Sequence, residues 1–284
     1  MAIFTNQATL SYNNTSTTSN IVTGEVLEVL SATKNSLDTQ YRYGDTITYV
    51  ISINNTGITA FNNLTITDDL GVYTVGGLTV TPLTYEAGTV AYYVNGVLQA
   101  TPAVAAGPPL VISGINVPAG GNAIIIYEAR VNQYAPPSVG STIVNNAEIS
   151  GAGLSAPIVV TDTVTVAEEA ILSITKSLTP ETVAENGQLT YTFTIQNIGN
   201  IPAVATDNVA ITDVFNPILD NISVTLNGTV LTEPAQYTYD EVTGVFQTVA
   251  GVITVPAATF TQDAITGQWN IVPGVAIVSV TGTV

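Results

Sequence analysis

Leu30-Ser31-Ala32-Thr33-Lys34 and Leu172-Ser173-Ile174-Thr175-Lys176 are one short phrase written twice, and the residues downstream of each copy decide the fold. At the same offset Thr48-Tyr49 matches Thr190-Tyr191, and Asn55-Thr56-Gly57 matches Asn197-Ile198-Gly199. A little further on, Thr65-Ile66-Thr67-Asp68 matches Ala210-Ile211-Thr212-Asp213. Apolar residues in these segments recur every second position, the period of a strand with one buried face. Asn95-Gly96 and Asn227-Gly228 each sit between β-type runs, the dipeptide that suits a tight hairpin. Val117-Pro118 precedes the run from Ala123 to Val131, and Val272-Pro273 precedes that from Val275 to Val284.

There the second copy stops, whereas the first runs on through Ile143-Val144-Asn145-Asn146-Ala147-Glu148-Ile149-Ser150 and then Ile158 to Val166. The missing piece stands at the other end of the chain. Phe4-Thr5-Asn6-Gln7-Ala8-Thr9-Leu10-Ser11 matches Ile143 to Ser150, and Ile21 to Val29 matches the strand that leads into the next Lys-bearing segment. The reading is all-β: two tandem immunoglobulin-like β-sandwiches, with an N-terminal donor hairpin at 1–29, a complete domain at 30–168 and an incomplete acceptor domain at 169–284. An incomplete sandwich exposes unpaired edges, which natural proteins avoid. Completion by the hairpin of another copy is strand donation, and donor and acceptor at opposite ends of the chain make a contact that propagates instead of closing. The expected partner is therefore the chain itself, in a head-to-tail homopolymer.

Composition narrows the function classes. The 284 residues contain no Cys and no His, which excludes thiol catalysis, a Cys/His zinc site and a His-based triad. Four basic residues against 21 acidic ones give a net charge of -17, a poor match for nucleic acid or anionic lipid. No apolar run reaches the roughly 18–20 residues of a bilayer span, so no membrane insertion is expected. Met1 to Gln7 lacks a basic segment followed by an apolar core, so it does not read as a secretory signal. Export is expected through a signal already removed, or by lysis of the producing cell. Acidic turns such as Asp68-Asp69 and Asp240-Glu241 lack the density of a calcium loop, and no metal or cofactor is expected.

The motifs resemble a bacterial and archaeal surface-repeat family, the immunoglobulin-like domain of unknown function eleven. The shared features are the Lys-bearing first strand, Gly44-Asp45 leading to Thr48-Tyr49, Asn-x-Gly, Thr-Asp in a middle strand and Asn-x-Ala near the end. In the second copy Gly187-Gln188 stands in place of Gly-Asp. The resemblance implies a cell-surface β-sandwich, usually in tandem, and names no ligand.

Strict alternation also places unusual residues inward. Leu30, Ala32 and Lys34 share a face, as do Leu64, Ile66, Asp68 and Leu70, and Ile143, Asn145, Ala147 and Ile149. In the second set Lys176 lines up with Leu172 and Ile174, Asp213 with Ile211 and Phe215, and Asn6 with Phe4, Ala8 and Leu10. A buried Lys, Asp and Asn are costly unless they satisfy one another. One chemistry uses all three: a neutral amine attacks the carboxamide, a carboxyl group relays protons, ammonia leaves, and an isopeptide bond remains. The trio is similar to those of immunoglobulin-like domains in Gram-positive surface fibres. Lys34, Asp68 and Asn145 are the expected intramolecular set, and Lys176 and Asp213 with Asn6 of another copy the intermolecular set. The alternative for these residues is a Lys that snorkels to the edge, an Asp that caps a turn and an Asn that satisfies backbone. For the whole chain the expectation is a non-enzymatic, extracellular fibre subunit on a cell or spore surface. The alternatives are a monomeric adhesin or glycan-binding module, and a monomer closed by its own hairpin.

Overall fold

The computed structural model describes residues 2–284, with side chains from residue 3. The N-terminal arm is a β-hairpin of β1 (Ala2–Asn6), β2 (Thr9–Tyr12), β3 (Thr15–Thr18) and β4 (Val22–Val26). Next come β5 (Leu30–Ser36), β6 (Gln40–Tyr41), β7 (Thr46–Asn55), β8 (Phe61–Asp68), a small hairpin of β9 (Tyr73–Val75) and β10 (Leu78–Val80), β11 (Leu83–Tyr85), β12 (Ala91–Val94) and β13 (Val97–Leu98). They are followed by β14 (Ala103–Ala105), β15 (Leu110–Val117), β16 (Asn122–Val131), β17 (Thr142–Ser150) and β18 (Ile158–Val166). The second half holds β19 (Leu172–Thr179), β20 (Gln188–Asn197), β21 (Thr212–Val214), β22 (Asp220–Leu226), β23 (Thr229–Val230), β24 (Tyr237–Tyr239), β25 (Val245–Thr248), β26 (Thr259–Gln262), β27 (Trp269–Val272) and β28 (Gly274–Thr283). A single turn of 3-10 helix at Ala205–Asp207 is the only helical element among the described residues.

The chain divides into two compact units. Unit 1 holds the chain up to Pro136 with Ser141–Thr165 and Ala264–Gly267; unit 2 holds Pro137–Gly140, Val166–Asp263 and Gln268–Val284. In unit 1 a six-stranded antiparallel sheet, β13-β12-β16-β7-β5 with β11 also on β16, faces a second sheet of six strands, β14-β15-β8-β17-β18-β6. The core between them is built from strands that bury every second residue: β7 buries Ile47, Tyr49, Ile51 and Ile53, and β16 buries Ala123, Ile125, Tyr127 and Ala129. In unit 2 the sheet β19-β20-β28-β22-β23 keeps the same central pattern, with Leu189, Tyr191, Phe193 and Ile195 of β20 buried. Its opposing layer is reduced to β21-β25-β24, where β21 is three residues long and pairs only with β25 among the described strands.

Asn95-Gly96 and Asn227-Gly228 are hairpin turns, between β12 and β13 and between β22 and β23, with positive φ at both residues (47° and 78°; 49° and 81°) as the tight type I′ turn requires. Asn13-Asn14, at φ 42° and 59°, turns the arm in the same way. Asn55 and Asn197 do more than mark turns. Asn55 donates to the carbonyls of Thr59 and Pro118 at 2.9 Å each and accepts from Gly57 N–H at 2.9 Å. Asn197 repeats this with Ile201 (2.8 Å), Pro256 (3.0 Å) and Gly199 (2.8 Å), and also accepts from Ile171 N–H at 2.9 Å. Each buried carboxamide ties two loops to a strand end. We expect Asn197→Ala to lower the stability of unit 2 by about 2 kcal/mol, from buried backbone groups left unpaired, read as a fall in the urea midpoint.

Candidate functional site

Lys34 lies on the edge strand β5 of one sheet of unit 1, and Asp68 ends β8 in the other. Because β17 runs beside β8, with Ala147 opposite Asp68, Asn145 lies one inward step along the same face. The structure brings the three together at 3%, 0% and 0% exposure, so Lys34 does not snorkel to solvent. Lys34 Nζ donates to Asp68 Oδ2 at 2.7 Å and to the backbone carbonyl of Asn145 at 3.1 Å. Burial pulls the Lys34 amine below its ordinary value, against the opposing pull of Asp68, and so favours the neutral, nucleophilic form. The neighbour Asn146 points the other way, with its Nδ2 donating to Asp69 Oδ2 at 2.8 Å and its backbone N–H to Asp69 Oδ1 at 3.0 Å.

Two tyrosines complete this site. Tyr49 and Tyr127 stack with ring centroids 5.4 Å apart on adjacent strands. Tyr127 donates its hydroxyl to Asp68 Oδ2 at 2.5 Å and accepts from Asn145 Nδ2 at 3.3 Å. Asn145 Oδ1 is buried without a hydrogen-bond partner, uncommon for a carboxamide in a packed core. Sequence reasoning missed Tyr127. The signal was the alternation of the run from Ala123 to Val131, which points its tyrosine inward, but that tyrosine has no duplicate in the second copy.

In unit 2 Lys176 and Asp213 occupy the matching positions and are ion-paired, yet their side chains remain 39% and 22% exposed. Lys176 Nζ lies over the rings of Tyr191 (4.3 Å), Phe193 (5.4 Å) and Phe215 (5.4 Å). Along β19, Leu172 and Ile174 are 39% and 53% exposed, whereas Leu30, at the Leu172 position, is buried. The cause is the absence, among the described residues of unit 2, of strands corresponding to β17 and β18, which in unit 1 lie over the charge pair.

Asn6 ends β1 in the arm, exposed and cross-strand from Val22. Phe4 is 54% exposed, and its ring lies over Gly24 so closely that an added Cβ there would collide with it. Ile3, Leu10, Tyr12, Ile21 and Leu27 are also more than half exposed. The arm thus carries an apolar face on a two-stranded ribbon that does not itself bury it.

No protein-family model and no curated protein matches the chain. Among solved structures it is similar to the major pilin subunit BcpA of Bacillus cereus, at 13% identity over 96% of this chain and 73% of that one, with a TM-score of 0.37. It is similar to the pilus backbone RrgB of Streptococcus pneumoniae, at 13% identity over 86% of this chain and 55% of that one, TM-score 0.36. It is also similar to a family 123 glycoside hydrolase of Clostridium perfringens, at 12% identity over 49% of this chain and 27% of that one, TM-score 0.33. Likenesses this distant leave function to be argued from the residues themselves.

Proposed function

We propose that the chain is the structural subunit of an extracellular fibre, assembled head to tail by insertion of the N-terminal arm of one copy into unit 2 of the next. One observation carries this reading: the same Lys–Asp pair is sealed in unit 1 by β17 and β18 and half open in unit 2. The arm supports it from the other side. It carries the segment that matches β17, with Asn6 at the position of Asn145. Donation would lay the arm along the free edge of β21, with Ala8 opposite Asp213 as Ala147 is opposite Asp68. Phe4 and Leu10 would enter the core, each gaining about 1.5–3 kcal/mol from burial. In the same reading an isopeptide bond joins Lys34 to Asn145 within each subunit, and another joins Lys176 to Asn6 between subunits.

Purified protein imaged by negative-stain electron microscopy should show fibres, and deletion of residues 1–29 should abolish them while unit 1 stays folded. The deleted segment, added back as a free peptide, should bind the truncated protein and still give no fibres. Normal polymerisation of the deletion variant would refute strand donation.

A further inference from the structure

In unit 1 the departing nitrogen of the expected isopeptide reaction is already in contact with a hydroxyl. Asn145 Nδ2 and Asp68 Oδ2 are both hydrogen-bonded to the oxygen of Tyr127, at 3.3 Å and 2.5 Å. Asp68 Oδ2 also accepts from Lys34 Nζ at 2.7 Å, so a continuous path runs from the amine through the carboxyl group and the phenol to the carboxamide nitrogen. All four side chains are buried, leaving little access for water to serve as the proton donor.

We propose that the Tyr127 hydroxyl is a catalytic group for formation of the Lys34–Asn145 bond, passing its proton to Nδ2 as that nitrogen leaves while it takes a proton from Asp68. The proposal rests on the reading that this bond forms. Lys34 first transfers a proton from its ammonium to the Asp68 carboxylate. The neutral amine then attacks Asn145 Cγ, forming the new C–N bond and placing the displaced π-electron pair on Oδ1. Tyr127 protonates Nδ2 and is reprotonated by Asp68, and the Asp68 carboxylate so regenerated takes one further proton from the attacking nitrogen. The Cγ–Nδ2 bond breaks, and the electron pair on Oδ1 re-forms the carbonyl. Lys34 has then lost two protons in all: one leaves with ammonia and the other remains on Asp68 or departs with ammonia as ammonium. No oxidant or further reactant is needed.

Two features of the site fit a relay better than a packing role. Burial, reinforced by the Asp68 carboxylate, pushes the phenol well above its ordinary value, so it enters the reaction protonated. Tyr49, stacked on the same ring, is equally enclosed but makes no hydrogen bond to Asp68, which takes it out of the relay and makes it the comparison residue.

The test monitors bond formation by intact mass in the full-length protein after pulsed cell-free synthesis, with crosslinked chains lighter by one ammonia. Tyr127→Phe should slow the mass loss by about 100-fold or more, the usual cost of removing a general acid, whereas Tyr49→Phe should keep the wild-type rate. Site-specific 3-fluorotyrosine at position 127, a more acidic phenol of nearly the same size, should raise the rate; this variant keeps the test valid where Tyr127→Phe does not fold. A Tyr127→Phe protein that crosslinks at the wild-type rate, or a fluorotyrosine protein whose rate does not rise, overturns the relay. A wild-type protein that keeps its full sequence mass overturns instead the underlying reading that the bond forms.

Discussion

Stretched between Leu30 and Thr165, unit 1 should extend only through the residues outside the 34–145 loop if the proposed amide bond joins β5 to β17. Force would enter along β5, cross from Lys34 to Asn145 and leave through β17 and β18, bypassing the chain between. Lys34 and Asn145 are 111 positions apart in sequence. Opening that loop in an unbonded variant should release about 370–400 Å of contour length, at roughly 3.3–3.6 Å per residue. Asn145→Ala is the variant of choice, since it deletes the carboxamide and keeps the Lys34–Asp68 ion pair; Asp68→Ala strands a buried lysine and adds about 3–5 kcal/mol of destabilisation. Single-molecule force spectroscopy reads the length. Intact mass reads the chemistry, with wild type lighter than its sequence by one ammonia and both variants at full mass. Equal unfolding lengths for wild type and Asn145→Ala would remove the crosslink from the account. A cysteine-free chain gains from such a bond what a disulfide supplies elsewhere, a constraint on the unfolded state that persists under load.

The fold and the unit 1 trio were legible because both are written in period two. Alternation through Leu30, Ala32 and Lys34, through Leu64, Ile66 and Asp68, and through Ile143, Asn145 and Ala147 assigns each side chain to a face without knowledge of sheet order. Duplication then picked out Lys34 and Lys176 as a matched pair. Duplication also set the limit. Tyr127 was invisible to it because its counterpart is Val280: Tyr191 pairs with Val280 as Tyr49 pairs with Tyr127. The contacts of Tyr127 reach across from one sheet to the other, and strand periodicity says nothing about which residues meet across the core. The Asn-x-Gly spacing marks Asn55 and Asn197 only as turn residues. Their carboxamides bind carbonyls of Pro118 and Pro256, far along the chain, and such partners emerge only from the packed arrangement.

Fibres of the wild-type protein should resist boiling in detergent and run as a ladder or fail to enter a gel, while Asn6→Ala fibres, normal by microscopy, should collapse to a monomer band. If the arm enters unit 2 in the register of β17, Asn6 stands over Lys176 and Asp213 as Asn145 stands over Lys34 and Asp68. Strand insertion alone can be tight, but it lasts only as long as the sandwich stays folded; an amide bond survives denaturation. The reactive pair in unit 2 differs in two respects that set the order of events. Before insertion Lys176 and Asp213 are partly hydrated, at 39% and 22% exposure, so the pair is withdrawn from water only when the arm covers it. With Val280 in place of Tyr127, moreover, unit 2 has no phenol at the position from which Tyr127 would protonate the departing nitrogen. Covalent joining should therefore lag behind elongation: young fibres dissociate in hot detergent and aged ones do not, at equal length by microscopy. Lys176→Ala should give fibres that never mature. Digestion of aged wild-type fibres should release a branched peptide containing the Asn6 and Lys176 segments, and its absence from detergent-resistant fibres would place the crosslink elsewhere.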